Sequence, residues 1–540
     1  MKKALLMIGG RYHRFGSCAR VLCDFLEDRQ AAECVVCEDR EAFRDLGGFD
    51  AVIVYADGGE LTPAQEAGLC DWVAEGGAFV GLHCAADSWV GNDRYMEMIG
   101  TQFESHGPVT EFLVNVKDLD HDVTRRMAEF RITDEFYLLK KRTKADLHWL
   151  MGGCWQAVNH PMAYVREYGR GRVFYTALGH DERAFTHPGF QKLVHRGLAW
   201  ATRSCKPGPI RFGVVGYGPT FNMGRHHAET IRNTRQFELT AVCDLDPLRL
   251  EAARTELPDV ETFQDVRDLI AADLVDVATI VTPHDSHAPL ARELLQAGIG
   301  VVCEKPFCLT AGEATELIET ARSRDVLLTV FHNRRWDADY LALRRIIADG
   351  LLGDVFHIEA YRGEYAHPGY WWRSHKPVCG GLMYDWGAHF VDWILHLMPH
   401  RMESVTGYLS KRLWHDVTNE DHGKIFIHFE GGRTAELELS YLSAADKPKW
   451  RILGTRGGLT CDWEPPVHVT TYVNGRREKL DVPFTPTPLS PAFYAGLADH
   501  LLCGEPLPIT QESARRVIAV LELAEKSSLA GQPEPVPFED

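Results

Sequence analysis

The sequence has no long hydrophobic run: none approaches the roughly 18–20 apolar residues that a membrane span needs. The apolar stretch behind Met1-Lys2-Lys3 is only Ala4–Ile8, a β-strand's length and too short for a signal core. Positive charge is scarce as well. The 58 Lys and Arg stand against 76 Asp and Glu, and the formal net charge of -18 disfavours nucleic acid and anionic membranes as partners. The 14 cysteines follow no paired framework. They are scattered through apolar segments such as Val242-Cys243-Asp244, which reads as reduced core thiols of a cytoplasmic protein. Cys34-Val35-Val36-Cys37 has the CxxC spacing, but no second pair completes a zinc or redox site.

What is present is enough chain for two to four domains: 540 residues exceed what a single core can organise. Residues 1–203 alternate strand and helix. Ala4–Ile8, Ala51–Tyr55 and Ala78–Leu82 read as strands, and Ser17–Leu26 has helical spacing of Ala19, Leu22, Cys23 and Leu26. Thr62–Glu75 reads as a helix with Thr62 as N-cap, Pro63 at its first position and Glu66 at the capping-box place. This is a doubly wound α/β pattern, with His83-Cys84-Ala85-Ala86-Asp87 directly after a strand. Gly81-Leu82-His83-Cys84-Ala85-Ala86 invites comparison with a nucleophile elbow, but its glycine spacing is wrong and Cys84 lacks a clear partner set. His13, His83, His106 and His180 sit after strands or in loops. With Glu135 and Asp181 they can bind a divalent metal or act as acid and base; unconnected loop histidines are the alternative.

Residues 204–209, polar and proline-rich, read as a linker. A dinucleotide-binding pattern then spans 210–334. The strand Ile210–Val215 runs into Gly216-Tyr217-Gly218, with Gly224 as the third glycine of an enlarged Gly-x-Gly-x-x-Gly turn and Phe221 where that glycine is usual. Asp244, ending the next strand about 20 residues past Gly224, is placed to bind a ribose 2′-hydroxyl and repel a 2′-phosphate, favouring NAD; Asp246 competes for the role. Thr282-Pro283 and His287 close another strand. The strand Val301–Cys303 ends in Glu304-Lys305-Pro306, which puts Lys305 at the lip of a ligand crevice beyond the carboxyl ends of a parallel sheet. In 335–540 come an aromatic loop, Tyr370-Trp371-Trp372, and Asp385, His389 and Asp392 at i, i+4 and i+7, one face of a helix. Alternating strands follow between 404 and 473, then a final amphipathic helix, Gln511–Ser527.

Two resemblances rest on these residues. Gly81-Leu82-His83-Cys84-Ala85-Ala86-Asp87, Phe103-Glu104-Ser105-His106, Asp134-Glu135-Phe136-Tyr137 and Gly171–Asp181 resemble the ThuA trehalose-utilisation family over nearly all of 1–203. That implies a glutamine-amidotransferase-like fold without the Gly-x-Cys-x-Gly of the amidotransferase, and a role in handling oxidised sugars. Gly216, Gly218, Asp244, Thr282-Pro283, Glu304-Lys305-Pro306, Gly380-Gly381, Asp385 and His389 resemble the Gfo/Idh/MocA oxidoreductase family over about 210–530. That implies an α/β chain: a Rossmann domain, then a substrate domain with an open, largely antiparallel sheet that often makes subunit contacts, so a homo-oligomer is expected.

The expected chemistry is oxidation of a sugar or glycoside secondary hydroxyl, at C3, by NAD. His389 is the base, Lys305 holds the alkoxide, and Asp385 positions a hydroxyl or orients His389. Tyr370, Trp371, Trp372 and Asp392 are expected at the substrate, and Gly216, Gly218, Gly224, Asp244, Thr282, Pro283, His287, Glu304 and Lys305 at the cofactor. The first domain is expected to convert the keto product with His83, His106, His180 and Glu135 or Asp181. The alternatives are an NAD-dependent glycosidase working by transient oxidation and elimination, and a non-catalytic nucleotide-bound sugar sensor.

Overall fold

A computed structural model describes residues 1–125, 127–204, 209–218, 222–485, 489–537 and 539. Most of the expected linker, and Phe221, lie outside them. The chain divides into two compact units, Met1–Pro207 with Ala498–Pro506, and Gly208–Leu497 with Leu507–Asp540. No described helix is long and apolar enough to cross a membrane.

In the first unit, β1 (Lys2–Gly9), β2 (Ala32–Cys37), β3 (Ala51–Ala56), β4 (Ala78–Leu82) and β9 (Gly171–Thr176) form the parallel part of one sheet, in the order β2-β1-β3-β4-β9. The continuous apolar runs of β1, β3 and β4 suit strands covered on both faces, and every residue of β3 is buried. The sequence pattern gives only this half. Beyond β9 the sheet continues antiparallel through β8 (Val158–Tyr168), β7 (His148–Trp155), β5 (Thr101–Val116) and β6 (Phe130–Lys141). The helix Pro63–Ala74 is capped by Thr62, but the reciprocal partner is Gln65 and not Glu66. Proline occupies the first helical position, so the third is 65; Glu66 instead accepts from the backbone of Arg94 and Tyr95.

The second unit contains two sheets. The first is wholly parallel: β10 (Ile210–Val215), β11 (Phe237–Cys243), β12 (Glu261–Phe263), β13 (Val277–Ile280), β14 (Gly300–Cys303) and β15 (Leu328–Val330) stand in the order β12-β11-β10-β13-β14-β15. The order reverses beside β10, which opens a crevice at the strands' carboxyl ends. The other sheet comprises β16 (Val355–Gly363), β17 (Met402–Ser410), β18 (His422–Phe429), β19 (Arg433–Ser440), β20 (Trp450–Gly454), β21 (Gly457–Cys461), β22 (Val467–Val473), β23 (Arg476–Val482) and the short β24 (Glu534–Pro535). It is antiparallel except where β16 pairs with β19. The helix Ala388–Leu397 is buried along nearly its whole length. Phe390 and Trp393 anchor it, with the Trp393 ring 5.6 Å from that of Trp450.

Candidate functional site

β14 delivers Glu304 and Lys305 to the carboxyl edge of the parallel sheet, where Pro306 ends the strand. Lys305 Nζ lies 2.7 Å from Asp385 Oδ1 and 3.3 Å from the Asp385 carbonyl oxygen. Arg373 Nη1 donates to the same Oδ1, also at 2.7 Å. Against the burial that would raise it, Lys305 and Arg373 hold the Asp385 carboxyl well below the usual carboxylate range. His389 is 6% exposed. Burial first, then Lys305 and Arg334, push its imidazole well below the ordinary value, so it stands neutral. Among described residues its Nδ1 has no hydrogen-bond partner.

The α-helical register expected for Asp385, His389 and Asp392 does not hold throughout. Met383–Gly387 is a π-turn, and the α-helix begins at Ala388. Asp392 is not presented to the crevice: it is buried in a two-pronged ion pair with Arg335, at 2.6 and 2.8 Å. Trp371 and Trp372 flank the Arg373 guanidinium, 5.5 and 5.0 Å from it. Tyr370 is 78% exposed and donates its hydroxyl to Asp416, away from Asp385.

The glycine turn follows β10. A Cβ on Gly224 would stand 2.3 Å from the Gly216 carbonyl oxygen, and one on Gly216, at φ +101°, would stand 2.4 Å from that of Val281. These contacts let the helix Met223–Arg232 pack on the turn, as the third glycine of a dinucleotide fingerprint does. Space around Gly218 is open. Asp244 accepts from Tyr217 N at 2.6 Å and Asp246 N at 2.9 Å, which fixes its carboxylate beside the turn. Asp246 caps the helix Pro247–Glu256. His287 lies between the carbonyl oxygens of Thr282 and Pro306, at 2.9 and 2.8 Å, and ties two neighbouring strand ends together. Glu304 faces inward: Oε1 lies 3.1 Å from His227 Nε2 and Oε2 accepts from Lys305 N, while His227 Nδ1 meets the Tyr494 hydroxyl at 2.8 Å. These contacts fix its carboxylate in the crevice wall.

In the first unit, His13, His83, Glu135 and His180 each offer a ligand atom within 4.8 Å of the others. His13 follows β1, His83 follows β4, His180 follows β9, and Glu135 stands on β6. His83 Nδ1 is 2.7 Å from the Ala177 carbonyl oxygen, and His13 Nδ1 is 3.2 Å from Asp57 Oδ2. Both partners only accept, so each Nδ1 carries the hydrogen and each Nε2 keeps a lone pair. Asp57 is held in turn by the backbone N–H groups of Arg11 and Tyr12, at 2.9 and 3.1 Å. His83 Nε2 and His180 Nδ1 lie 3.5 and 3.2 Å from Glu135 Oε2. Those two nitrogens and His13 Nε2 are all buried without hydrogen-bond geometry to any described partner.

Burial, then the neighbouring His83, lowers His13 to about 4. The Glu135 carboxylate raises His180, while against burial His180 and His83 hold Glu135 well below its usual range. His13 and His180 also line a cavity of about 420 Å³ with Tyr12, Arg14, Asp181 and Arg183 at its rim. The elbow-like turn is real, but His83 holds the left-handed conformation, at φ +43°. Cys84 is fully buried, and burial pushes its thiol far up, so it is no nucleophile.

Comparison with known proteins gives three matches along the chain: the trehalose-utilisation family ThuA over residues 3–201, the NAD-binding Rossmann fold of the Gfo/Idh/MocA oxidoreductase family over 210–332, and that family's C-terminal domain over 340–460. An uncharacterized oxidoreductase of Schizosaccharomyces pombe is 33% identical over 46% of this chain and 70% of its own. The chain belongs to the Gfo/Idh/MocA oxidoreductase family, with a ThuA domain ahead of it. The scyllo-inositol 2-dehydrogenase (NADP(+)) of Bacillus subtilis is 25% identical over 59% of this chain and 94% of its own. An NAD-binding protein from Listeria innocua superposes with a TM-score of 0.55 at 27% identity, over 62% of this chain and 98% of that one.

Within this Gfo/Idh/MocA oxidoreductase, Lys305, Asp385, Trp371 and Trp372 come together, while Tyr370 pairs with Asp416 and Asp392 with Arg335. In the ThuA domain, His83, Glu135 and His180 converge. His106 stands outside the four, half-exposed, with Nδ1 3.0 Å from the other oxygen of Glu135. Asp181 caps a short helix and pairs with Arg183. His13 takes the fourth place. Sequence reasoning did not single out Arg373, His227 or Asp57; a basic residue beside the paired tryptophans was the only signal for any of them.

Proposed function

We propose that this chain oxidises a secondary hydroxyl of a sugar or glycoside, at C3, using NAD, and that its ThuA domain converts the keto product. The observation that carries the reading is the 2.7 Å Lys305–Asp385 pair beside neutral His389, at the carboxyl ends of a parallel sheet. Oxidation takes a proton from oxygen and a hydride from carbon. His389 accepts the proton, and Lys305 donates a hydrogen bond to the same oxygen as it gains alkoxide character. Asp385, charged throughout, aims the Lys305 ammonium. NAD supplies the hydride acceptor, and the glycine turn and Asp244 fit it. Asp244, pinned by two backbone amides, repels a 2′-phosphate and favours NAD, although the Bacillus relative is named for NADP(+). That relative's named substrate, a cyclic polyol, supports a sugar ring, and Trp371 and Trp372 supply an apolar wall for one.

The ThuA-domain cluster fits a divalent metal. Three buried imidazole nitrogens converge with one carboxylate oxygen, and Asp57 and Ala177 fix two of the tautomers. His13, His83, His180 and Glu135 would hold it, and when bound it would polarise a keto-sugar carbonyl. Exposed Phe356 and Tyr408, on the sheet that contains β16 and β17, support a homo-oligomer.

The test is to incubate the full chain with NAD and a panel of glucosides, free sugars and inositols, following NADH and product mass. We expect NADH in step with a product two hydrogens lighter. Glycoside cleavage without net NADH would replace this reading with an oxidation–elimination glycosidase.

A further inference from the structure

His284 opens the turn after β13 and is 2% exposed. Its Nδ1 lies 2.8 Å from the Cys379 carbonyl oxygen. A carbonyl only accepts, so Nδ1 carries the hydrogen and Nε2 is a bare acceptor. That Nε2 is buried and has no hydrogen-bond partner among the described residues. The ring stands at the crevice: it meets Trp372 edge-on with centroids 4.8 Å apart, and the charges of Lys305 and Asp385 both act on it. Protonation offers no relief, because burial, then His287 and Lys305, hold the imidazole well below its ordinary value. A buried acceptor of fixed tautomer is unfavourable unless something donates to it.

We propose that His284 Nε2 accepts a hydrogen bond from a second substrate hydroxyl, one that is not oxidised, and so selects polyols carrying a donor at that position. The inference rests on the reading of this crevice as a sugar-oxidising site. Lys305 and Arg373 are donors and seek acceptors; His284 adds an acceptor that cannot donate. A hydroxyl satisfies it, while a hydrogen or fluorine in the same place leaves it unpaired. Leaving one buried neutral partner unpaired weakens transition-state binding by about 10–100-fold.

The full chain is compared with His284→Phe and His284→Gln on the best sugar of the panel and its monodeoxy and monofluoro analogues, with NAD affinity measured separately by fluorescence titration. The expected loss of kcat/KM in His284→Phe is about 10–100-fold with the parent sugar, with NAD affinity unchanged. One deoxy analogue should show the same loss with the unaltered chain and lose nothing further in His284→Phe, and His284→Gln should regain part of the rate. Equal losses for every analogue in both proteins, or a loss that resides in NAD affinity, would overturn the assignment. If the unaltered chain oxidises a sugar and His284→Phe does so equally well, only this inference falls. If it oxidises none, the functional reading falls and takes this one with it.

Discussion

The Lys305 crevice and the ThuA-domain histidine cluster are both built at the carboxyl ends of parallel strands, yet they balance charge in opposite ways. In the crevice one carboxylate, Asp385, already carries two cations, Lys305 and Arg373, on the same oxygen. In the cluster one carboxylate, Glu135, is shared among histidines, and three imidazole nitrogens have no hydrogen bond among the described residues. The crevice is electrostatically complete and can move a proton and a hydride with no further charge. The cluster is a set of lone pairs turned on one another, an arrangement that a bound cation would relieve.

The sharpest way to break this contrast is Lys305→Ala. If the pair serves the reaction, turnover falls by about 10²–10³ while NAD binds as before. Turnover near that of the unaltered chain would make the pair structural.

The next concerns the cluster. The full chain, loaded with zinc or manganese and desalted, should retain metal by elemental analysis, and His83→Ala should retain none. Asp57→Asn, which touches no metal but orients His13, should weaken affinity by about 10–100-fold. A full chain that holds no metal would reduce the cluster to packed rings.

The smallest effect is on stability. Burial lowers His284, His332 and His389 in the dehydrogenase half. Their folded values lie below the unfolded value of about 6.5, so below that pH the unfolded chain binds more protons. The stability these neutral rings contribute is present above about pH 6.5 and is lost as pH falls. His332→Asn should flatten the fall by up to one proton, about 1.4 kcal/mol per pH unit. Calorimetric unfolding across that range checks it; an unchanged slope would show that His332 does not stay neutral.

The sequence disclosed those parts of the sites that lie within one strand–turn–helix step. Glu304-Lys305-Pro306 ends an apolar run, Gly216 and Gly224 bracket a turn, and Asp244 ends a strand; each is a local pattern with a local cause. What stayed hidden depends on strand order. His13, His83, His106 and His180 were all candidates by their places after strands or in loops, but which of them meet is set by β1, β4 and β9 ending on one edge of a sheet, and His106 falls outside the four. Asp392 looked equivalent to Asp385 by helical spacing. It is claimed instead by Arg335, 57 residues earlier, through a pairing that periodicity does not encode.

The π-turn at Met383–Gly387 gives the crevice an unusual unit of variation. Such turns accommodate one residue more than an α-helix does over the same rise. Removing a single residue there would restore regular winding and swing Asp385 by roughly 100° about the axis relative to His389. The Lys305 ammonium would then lose its carboxylate although no side chain in the site had been replaced. At this segment the length of the chain, as much as its lettering, sets the chemistry, and relatives are better compared by counting residues between Gly381 and His389 than by matching their identities.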